Sequence, residues 1–321
     1  MRRVPWLRVF VVACWLFFPL CRIVQDLVGE SSHLVFASME LPQLLFCVPI
    51  FLVSVVSAIL RRWRLAVVSS VFFLFSCLWA GGFCLGSPSV ATGPHLRVMT
   101  LNVEKFTDHS VAEVAAAIRD AHPDVVCLQE AAKLPPPWQA PHELETFLPG
   151  YKLISSGEIG ILTRLPVRSF EAIPLYAGPE SRPLLLAHID FGGKEIVVGS
   201  VHFQFFPWDD ATSRNIEEAR SNREVQQLWL RDYAARYREN LVLCGDFNSI
   251  PNAPVIHSLR EFLADAFAAT HTGFGWTVPS ASPLRRLDYI FVGTGLKPLA
   301  TDVPDRIVSD HRAVVADIGF R

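Results

Sequence analysis

The chain carries almost no net charge: 29 Lys and Arg stand against 31 Asp and Glu, a formal balance of −2 at pH 7. Composition therefore announces no basic surface for nonspecific binding of nucleic acid. A disulfide framework is missing too. Of the seven cysteines, Cys14, Cys21, Cys47, Cys77 and Cys84 fall in or beside apolar blocks, and Cys127 and Cys244 fall in buried strand patterns, which suits small hydrophobes. There is no Cys or His spacing of the zinc type, no internal repeat and no low-complexity tract.

What the chain has in excess is apolar residues, 51% of its 321 positions, concentrated before residue 86. Val9 to Leu20, Leu41 to Leu60 and Leu65 to Leu85 form three apolar blocks. The last two run about 20 residues without a charge, the length an α-helix needs to cross roughly 30 Å of hydrocarbon. A buried core helix rarely stays apolar on every face for so long, so both are read as transmembrane. The first block is flanked by Arg8 and Arg22 and interrupted by Pro19. It reads either as a third spanning helix or as the apolar region of a signal peptide after Arg2 and Arg3.

Arg2, Arg3 and Arg8 mark the N-terminal side as cytoplasmic, and the Arg61-Arg62-Trp63-Arg64 connection closes the later blocks into a hairpin on that side. Residues 22 to 41, with Asp26, Glu30 and Glu40 against Arg22, suit an outside loop. Residues 1–85 are thus expected to be a lipid-embedded anchor of two or three helices. Residues 86–94 read as a Gly-, Pro- and Ser-rich linker reaching at most about 30 Å. Residues 95–321 would be one domain held near the membrane on its extracytoplasmic side.

Within that domain strands and helices alternate. Strands are expected at His95–Val103, Val125–Gln129, Gly160–Thr163, Leu184–Asp190, Glu195–His202, Leu241–Gly245, Leu287–Val292 and Ala313–Ile318, with helices at Ser110–Ala121 and Ser213–Glu239. In the long helix, Val225, Leu228, Trp229 and Tyr233 share one face and suit packing on a sheet. The mixture argues an α/β layered domain.

Polar residues at the ends of apolar strands are where chemistry gathers. Val242-Leu-Cys-Gly-Asp-Phe-Asn-Ser249 ends a buried run with Asp246 and Asn248, which point to one side of an extended strand end. Asn102, Glu130 and His202 end three further apolar runs, and a carboxylate so placed is costly unless it is paired or binds a metal. Asp288 interrupts an apolar strand and suits an Asp–His pair with His311; a salt bridge to Arg285 or Arg286 is the alternative. Asp310 offers a hard oxygen ligand of the kind magnesium prefers. Each piece alone also reads as an ordinary turn, cap or structural histidine.

Joined in order, Leu101-Asn102, Leu128-Gln-Glu130, Gly160-Ile-Leu-Thr-Arg164 with Pro166, Val201-His202, Gly245-Asp-Phe-Asn248, Arg286-Leu-Asp-Tyr289 and Ser309-Asp-His311 resemble the endonuclease/exonuclease/phosphatase superfamily. Its bacterial membrane-anchored members are the nearest in layout. The resemblance implies a deoxyribonuclease-I-like, four-layered β-sandwich flanked by helices, here preceded by transmembrane helices. It implies Mg2+, with Mn2+ as an alternative, held by Glu130 with Asn102 and Asp310 beside it. Asp246, helped by Asn248, would position or deprotonate the attacking water. His202, and His311 oriented by Asp288, would hydrogen-bond the phosphate.

The substrate implied is a phosphate ester, nuclease-like first, with a lipid headgroup or a phosphomonoester as the alternative and a silent binding module as a third reading. Phe203-Gln-Phe-Phe-Pro-Trp208, directly after His202, would rim the site, dip into lipid or simply pack inward. No Arg- or Lys-rich insertion for duplex DNA, no inositol-phosphate signature and no protein partner is implied. The topology has its own test: a reporter that works only in the cytoplasm, fused after Arg321, should be silent, and activity from it would refute the outside placement.

Overall fold

Four helices build the N-terminal part of the computed structural model, which describes residues 5–90, 93–132, 142–175 and 182–321. The residues Arg2 and Arg3, and Ala91 and Thr92 of the expected linker, lie outside the described set. α1 (Pro5–Val28) runs straight through Pro19; α2 (His33–Glu40), α3 (Val48–Ile59) and α4 (Trp63–Ala80) follow. α3 and α4 form an antiparallel hairpin at Arg61, which takes a left-handed φ of 55°. Ser54 and Ser70 hydroxyls meet at 2.6 Å, Trp15 donates to Ser69 at 3.0 Å, and the Trp15 and Phe72 rings stack at 5.1 Å. Small polar residues of this kind let apolar helices approach closely.

Among the described residues two helices are long and apolar enough to cross a membrane, Trp6–Ser31 and Trp63–Ala80, and up to three if the bent pair His33–Glu40 and Gln43–Ile59 counts as one. The first block, read as a spanning helix or as a signal-peptide region, lies in a helix of spanning length. Three other expectations are revised. The second block begins at a 98° bend between His33–Glu40 and Gln43–Ile59, and its α-helical part is only 12 residues long, Val48–Ile59. The third ends at Ala80 rather than Leu85, because Gly81 and Gly82 follow and Gly82 is left-handed at φ 69°. Residues 22 to 41, expected as a loop, are largely helical, and Arg22 is buried against Gln25 and Asp26.

The chain falls into two compact units, residues up to Phe83 with Asn252–Pro254, and Cys84–Pro251 with Val255–Arg321. The second unit opens with β1 (Cys84–Leu85), followed by β2 (Leu96–Asn102), β3 (Val125–Gln129), β4 (Lys152–Ser156), β5 (Ile159–Thr163), β6 (Val167–Ile173) and β7 (Leu184–Phe191). Then come β8 (Lys194–His202), β9 (Leu241–Asp246), β10 (Ala264–Asp265), β11 (Thr272–Gly273), β12 (Asp288–Val292), β13 (Leu296–Asp302) and β14 (Val314–Phe320). β1 pairs antiparallel with β11. Gly86 donates to His271 O at 3.0 Å, and a Cβ there would lie 2.5 Å from His271 N, so only glycine fits.

Two six-stranded mixed sheets, ordered β13-β14-β2-β3-β5-β4 and β10-β12-β9-β8-β7-β6, pack face to face. Alternation supplies the core. Leu96, Val98, Val125 and Cys127 of one sheet meet Leu185, Ala187, Val198, Val242 and Cys244 of the other, all at most 1% exposed. Each such Leu, Val or Ile contributes about 1.5–3 kcal/mol. The opposite residues of β2 and β3, Met99, Leu101, Val126 and Leu128, bury against Val111, Val114, Ala115 and Ile118 of α5 (Val111–Ala121). α5 begins at a capping box in which Ser110 and Glu113 satisfy each other's backbone N–H groups. With α6 (Glu143–Phe147) following β3 and α7 (Ser213–Arg236) joining β8 to β9, this is the layered sandwich expected.

All eight expected strands are the interior strands of these sheets, and β10, β6, β13 and β4, which apolar runs did not reveal, are their four edges. β6 is exposed along most of its length, and β13 carries Pro298 and a register shift between Pro298 and Ala300. Edges need no continuous apolar run and tolerate proline. The expected face of α7 is also corrected. Leu228 and Trp229 are 64% and 43% exposed; the buried face runs through Ile216, Ala219, Arg223, Gln226, Leu230, Tyr233 and Ala234. Two polar residues hold that face because their bonds to loop backbone compensate burial, which a count of apolar residues does not register.

Beside the site sits a buried ion cluster. Arg286 donates to both oxygens of Asp265 at 3.2 and 3.0 Å, Arg260 adds a bond at 2.8 Å, and Asp265 caps the short helix Ala266–Thr270 through Ala268 N. Burial would raise the Asp265 carboxyl, but Arg286 and then Arg260 outweigh it and hold it below its ordinary range. Because the folded value is depressed, the stabilisation is present at neutral pH and is lost as pH falls through that value. Asp265→Ala should cost about 3–5 kcal/mol at pH 7 by leaving Arg286 buried and uncompensated. In urea melts the gap between wild type and variant should close in strong acid, and a gap constant from pH 7 to pH 2 would contradict this.

Candidate active site

Strand direction brings the site together. β2 and β3 are parallel, with Asn102 opposite Gln129, and β8 and β9 are parallel, with His202 opposite Asp246. Four strand C-termini therefore end on the same side of the sandwich. The antiparallel neighbours enter there: β12 starts with Asp288 opposite Asp246, and β14 starts beside β2 just after His311. Gly245 makes this possible. Its φ is 153°, and a Cβ would sit 1.9 Å from Val201 O, so no side chain is tolerated before Asp246. Beneath the site Thr100 donates to Gln129 at 3.2 Å and Gln129 to Ser200 at 3.1 Å, a buried polar link between the sheets.

Asp246, 1% exposed, is the centre. Its Oδ2 accepts from Asn102 Nδ2 at 3.2 Å and lies 3.7 Å from both His202 Nε2 and His311 Nε2. Its Oδ1 accepts the backbone N–H of Asn248 at 2.8 Å. Asn102 also donates to Glu130 at 3.2 Å. The Asn248 side-chain amide is committed to Phe203 O at 3.0 Å, so Asn248 acts on Asp246 through its backbone. Asp288 pairs with His311 Nδ1 at 2.9 Å, while Arg286, its alternative partner, goes to Asp265. Burial would lower the His311 pKa, but Asp288, then Asp246, raise it to about 10, so the ring is cationic at neutral pH.

Three participants were not singled out from the sequence. Glu158, in the turn before β5, lies 2.7 Å from His202 Nδ1. Arg182, just before β7, sits 3.0 Å from His202 Nε2 and donates to Phe203 O at 2.8 Å. A guanidinium only donates, so Nε2 accepts and the His202 proton sits on Nδ1, facing Glu158. Burial would raise the Glu158 carboxyl, but His202, Arg182 and Lys105 hold it down at about 2. Glu104 is the third. Burial, then Asp310, Asp108 and Glu130, push its carboxyl up. Glu158 and Arg182 each stand just before an apolar strand, a position that attention to polar residues ending or interrupting such runs passes over.

The donor set fits a hard divalent cation. Glu130, Asp310 and Glu104 offer carboxylate oxygens and Asn102 an amide oxygen, which accepts the Glu104 N–H at 3.0 Å; burial, then the charges of Asp310, Asp108 and Glu130, raise Glu104, and a cation relieves such repulsion. Asp246, Asp288 and His311 also place ligand atoms within 4.8 Å of one another, and Asp288 Oδ1 is buried without a hydrogen-bond partner. Glu104, Lys105, Phe106, Glu130 and Asn248 all carry positive φ, the strained backbone that gathers at functional sites.

Because the folded His311 value exceeds the ordinary 6.5, its ion pair stabilises fully below about pH 6.5 and is lost as pH rises through about 10. An NMR titration of His311 should show a midpoint far above 6.5 that drops in Asp288→Asn; an ordinary midpoint in the wild type would contradict the ion pair.

A family model described as Endonuclease/Exonuclease/phosphatase family matches residues 99–311. No curated protein sequence matches the chain. Among solved structures, an endonuclease/exonuclease/phosphatase from Beutenbergia cavernae DSM 12333 is 25% identical, with TM-score 0.54, over 71% of this chain and 72% of that one. D. rerio TDP2 complexed with single strand DNA product is 18% identical, with TM-score 0.54, over 71% of this chain and 100% of that one. The mannosyl-6-phosphatase Bt3783 of Bacteroides thetaiotaomicron VPI-5482 is 15% identical, with TM-score 0.56, over 70% and 100%. With its strand-end acids, amides and histidines inside the matched region, this chain belongs to the endonuclease/exonuclease/phosphatase family.

Proposed function

We propose that the chain is a membrane-anchored, divalent-metal-dependent phosphoesterase whose catalytic domain faces the extracytoplasmic side. The observation that carries the reading is the Asp246 carboxylate, buried among Asn102, His202 and His311. Asp246 orients and deprotonates the attacking water. Asn102 and the Asn248 N–H aim its two oxygens. Cationic His311, held by Asp288, meets negative charge developing on the phosphoryl oxygens, and Arg182 adds a second cation beside His202. Mg2+ or Mn2+, held by Glu130, Asn102 and Asp310 with Glu104 nearby, would supply Lewis-acid polarisation of a phosphoryl oxygen.

For the substrate, a nuclease-like phosphodiester comes first. Phe205 and Trp208, 42% and 52% exposed just beyond His202, suit stacking on bases, and the TDP2 likeness accords with it. A lipid headgroup or a phosphomonoester is the second reading, favoured by the apolar anchor helices and the phosphatase likeness.

The full chain in detergent should be assayed with Mg2+ or Mn2+ on plasmid DNA, sphingomyelin and bis-p-nitrophenyl phosphate. Turnover of at least one should be abolished by EDTA and lowered about 10²- to 10⁴-fold by Asp246→Ala. Equal, poor hydrolysis of all three by both proteins would remove the enzyme reading, and turnover indifferent to EDTA would remove its metal.

A further inference from the structure

Helix α7 spends its buried face on an arginine and a glutamine, 2% and 0% exposed, where aliphatic residues of like volume would pack at no desolvation cost. Where their polar atoms go explains the choice. Arg223 Nη1 donates to Gln204 O at 2.6 Å and to Asn248 O at 3.3 Å; its Nη2 donates to Ser249 Oγ at 2.8 Å. Its guanidinium lies 5.4 Å from the centre of the Phe203 ring. One turn along, Gln226 accepts from Gln204 N at 2.9 Å, and its Nε2 reaches His202 O at 3.4 Å. These contacts end on two loops, the one leaving His202 and the one leaving Asp246.

We propose that Arg223 and Gln226 are positioning residues, a clip on α7 that fixes the His202 and Asp246 loops against each other. The loops are tied directly as well: Phe203 N donates to Asp246 O at 2.8 Å, and Asn248 Nδ2 to Phe203 O at 3.0 Å. Asn248 sits between them in the left-handed conformation, φ 42°. Arg223, bonded to Asn248 O and the neighbouring Ser249 hydroxyl, braces that strained residue from behind. Its planar fork serves three acceptors at once, which a lysine ammonium on a flexible stem does not reproduce. The clip touches neither the reacting atoms nor any metal ligand; it acts through the Asn248 N–H on Asp246 and through the backbone of His202.

This inference rests on the phosphoesterase reading for its effect on rate, but not for its effect on the loops. Hydrogen–deuterium exchange on the full-length protein in detergent should show residues 202–206 and 246–250 losing protection together in Arg223→Met, with α5 unchanged. On whichever panel substrate the wild type hydrolyses, kcat should fall about 10- to 100-fold with KM within about threefold. Arg223→Lys should recover only part of the loss. Combined with Asn248→Ala, Arg223→Met should add little further loss, whereas a merely structural role gives additive losses. Should Arg223→Met not fold, Gln226→Leu takes its place, with the same loss of protection expected. Unchanged exchange in both loops would overturn the clip, as would loosened loops with wild-type kcat. A wild type inactive on every substrate would sink the phosphoesterase reading instead, and the exchange result would then decide the clip alone.

Discussion

A carboxylate with 1% of its surface exposed, that of Asp246, sets the terms for everything around it. A buried charge of this kind survives only if it is bonded and faced by opposite charge. Its partners come from both sheets: Asn102 and His311 border β2 and β14, while His202 and Asn248 border β8 and β9. The sandwich therefore has to close in one register for the carboxylate to be satisfied. The Thr100–Gln129–Ser200 link just below ties the same two sheets.

Around that centre the backbone is held in costly conformations. Five non-glycine residues near the site have positive φ, each costing about 1–3 kcal/mol. One or two fully buried aliphatic side chains offset each of them, and the core between the sheets and beneath α5 has such residues in number. Strain is concentrated where loops leave strands and the regular core absorbs it. The result is a pre-oriented array in which Asp246 is aimed by two donors and His311 is charged before any substrate arrives.

Much of this was legible in the chain. The interior strands announce themselves because both faces are buried, giving unbroken apolar runs, and the polar residue that ends each run is conspicuous. The edge strands β4, β6, β10 and β13 are not, since an edge has one unpaired side and mixed exposure. Arg223 and Gln226 look like a solvated helix face until the loops that they bind are in place. In the N-terminal unit, apolar composition located the helices, but the 98° bend falls between Glu40 and Gln43, at Pro42, where local backbone that hydropathy does not weigh decides.

By itself the sequence determined which residues would end strands, because alternation and apolar runs are local properties of neighbouring side chains. It thereby put Asn102, Glu130, His202 and Asp246 at strand ends, Asp288 inside an apolar strand and His311 just before the last one. Only the tertiary structure decided the partnerships: Asp288 with His311, Glu158 and Arg182 with His202, and Arg286 with Asp265 rather than with Asp288. Those pairings follow from which strands run parallel and in what register, and register is fixed by the packing of two whole sheets.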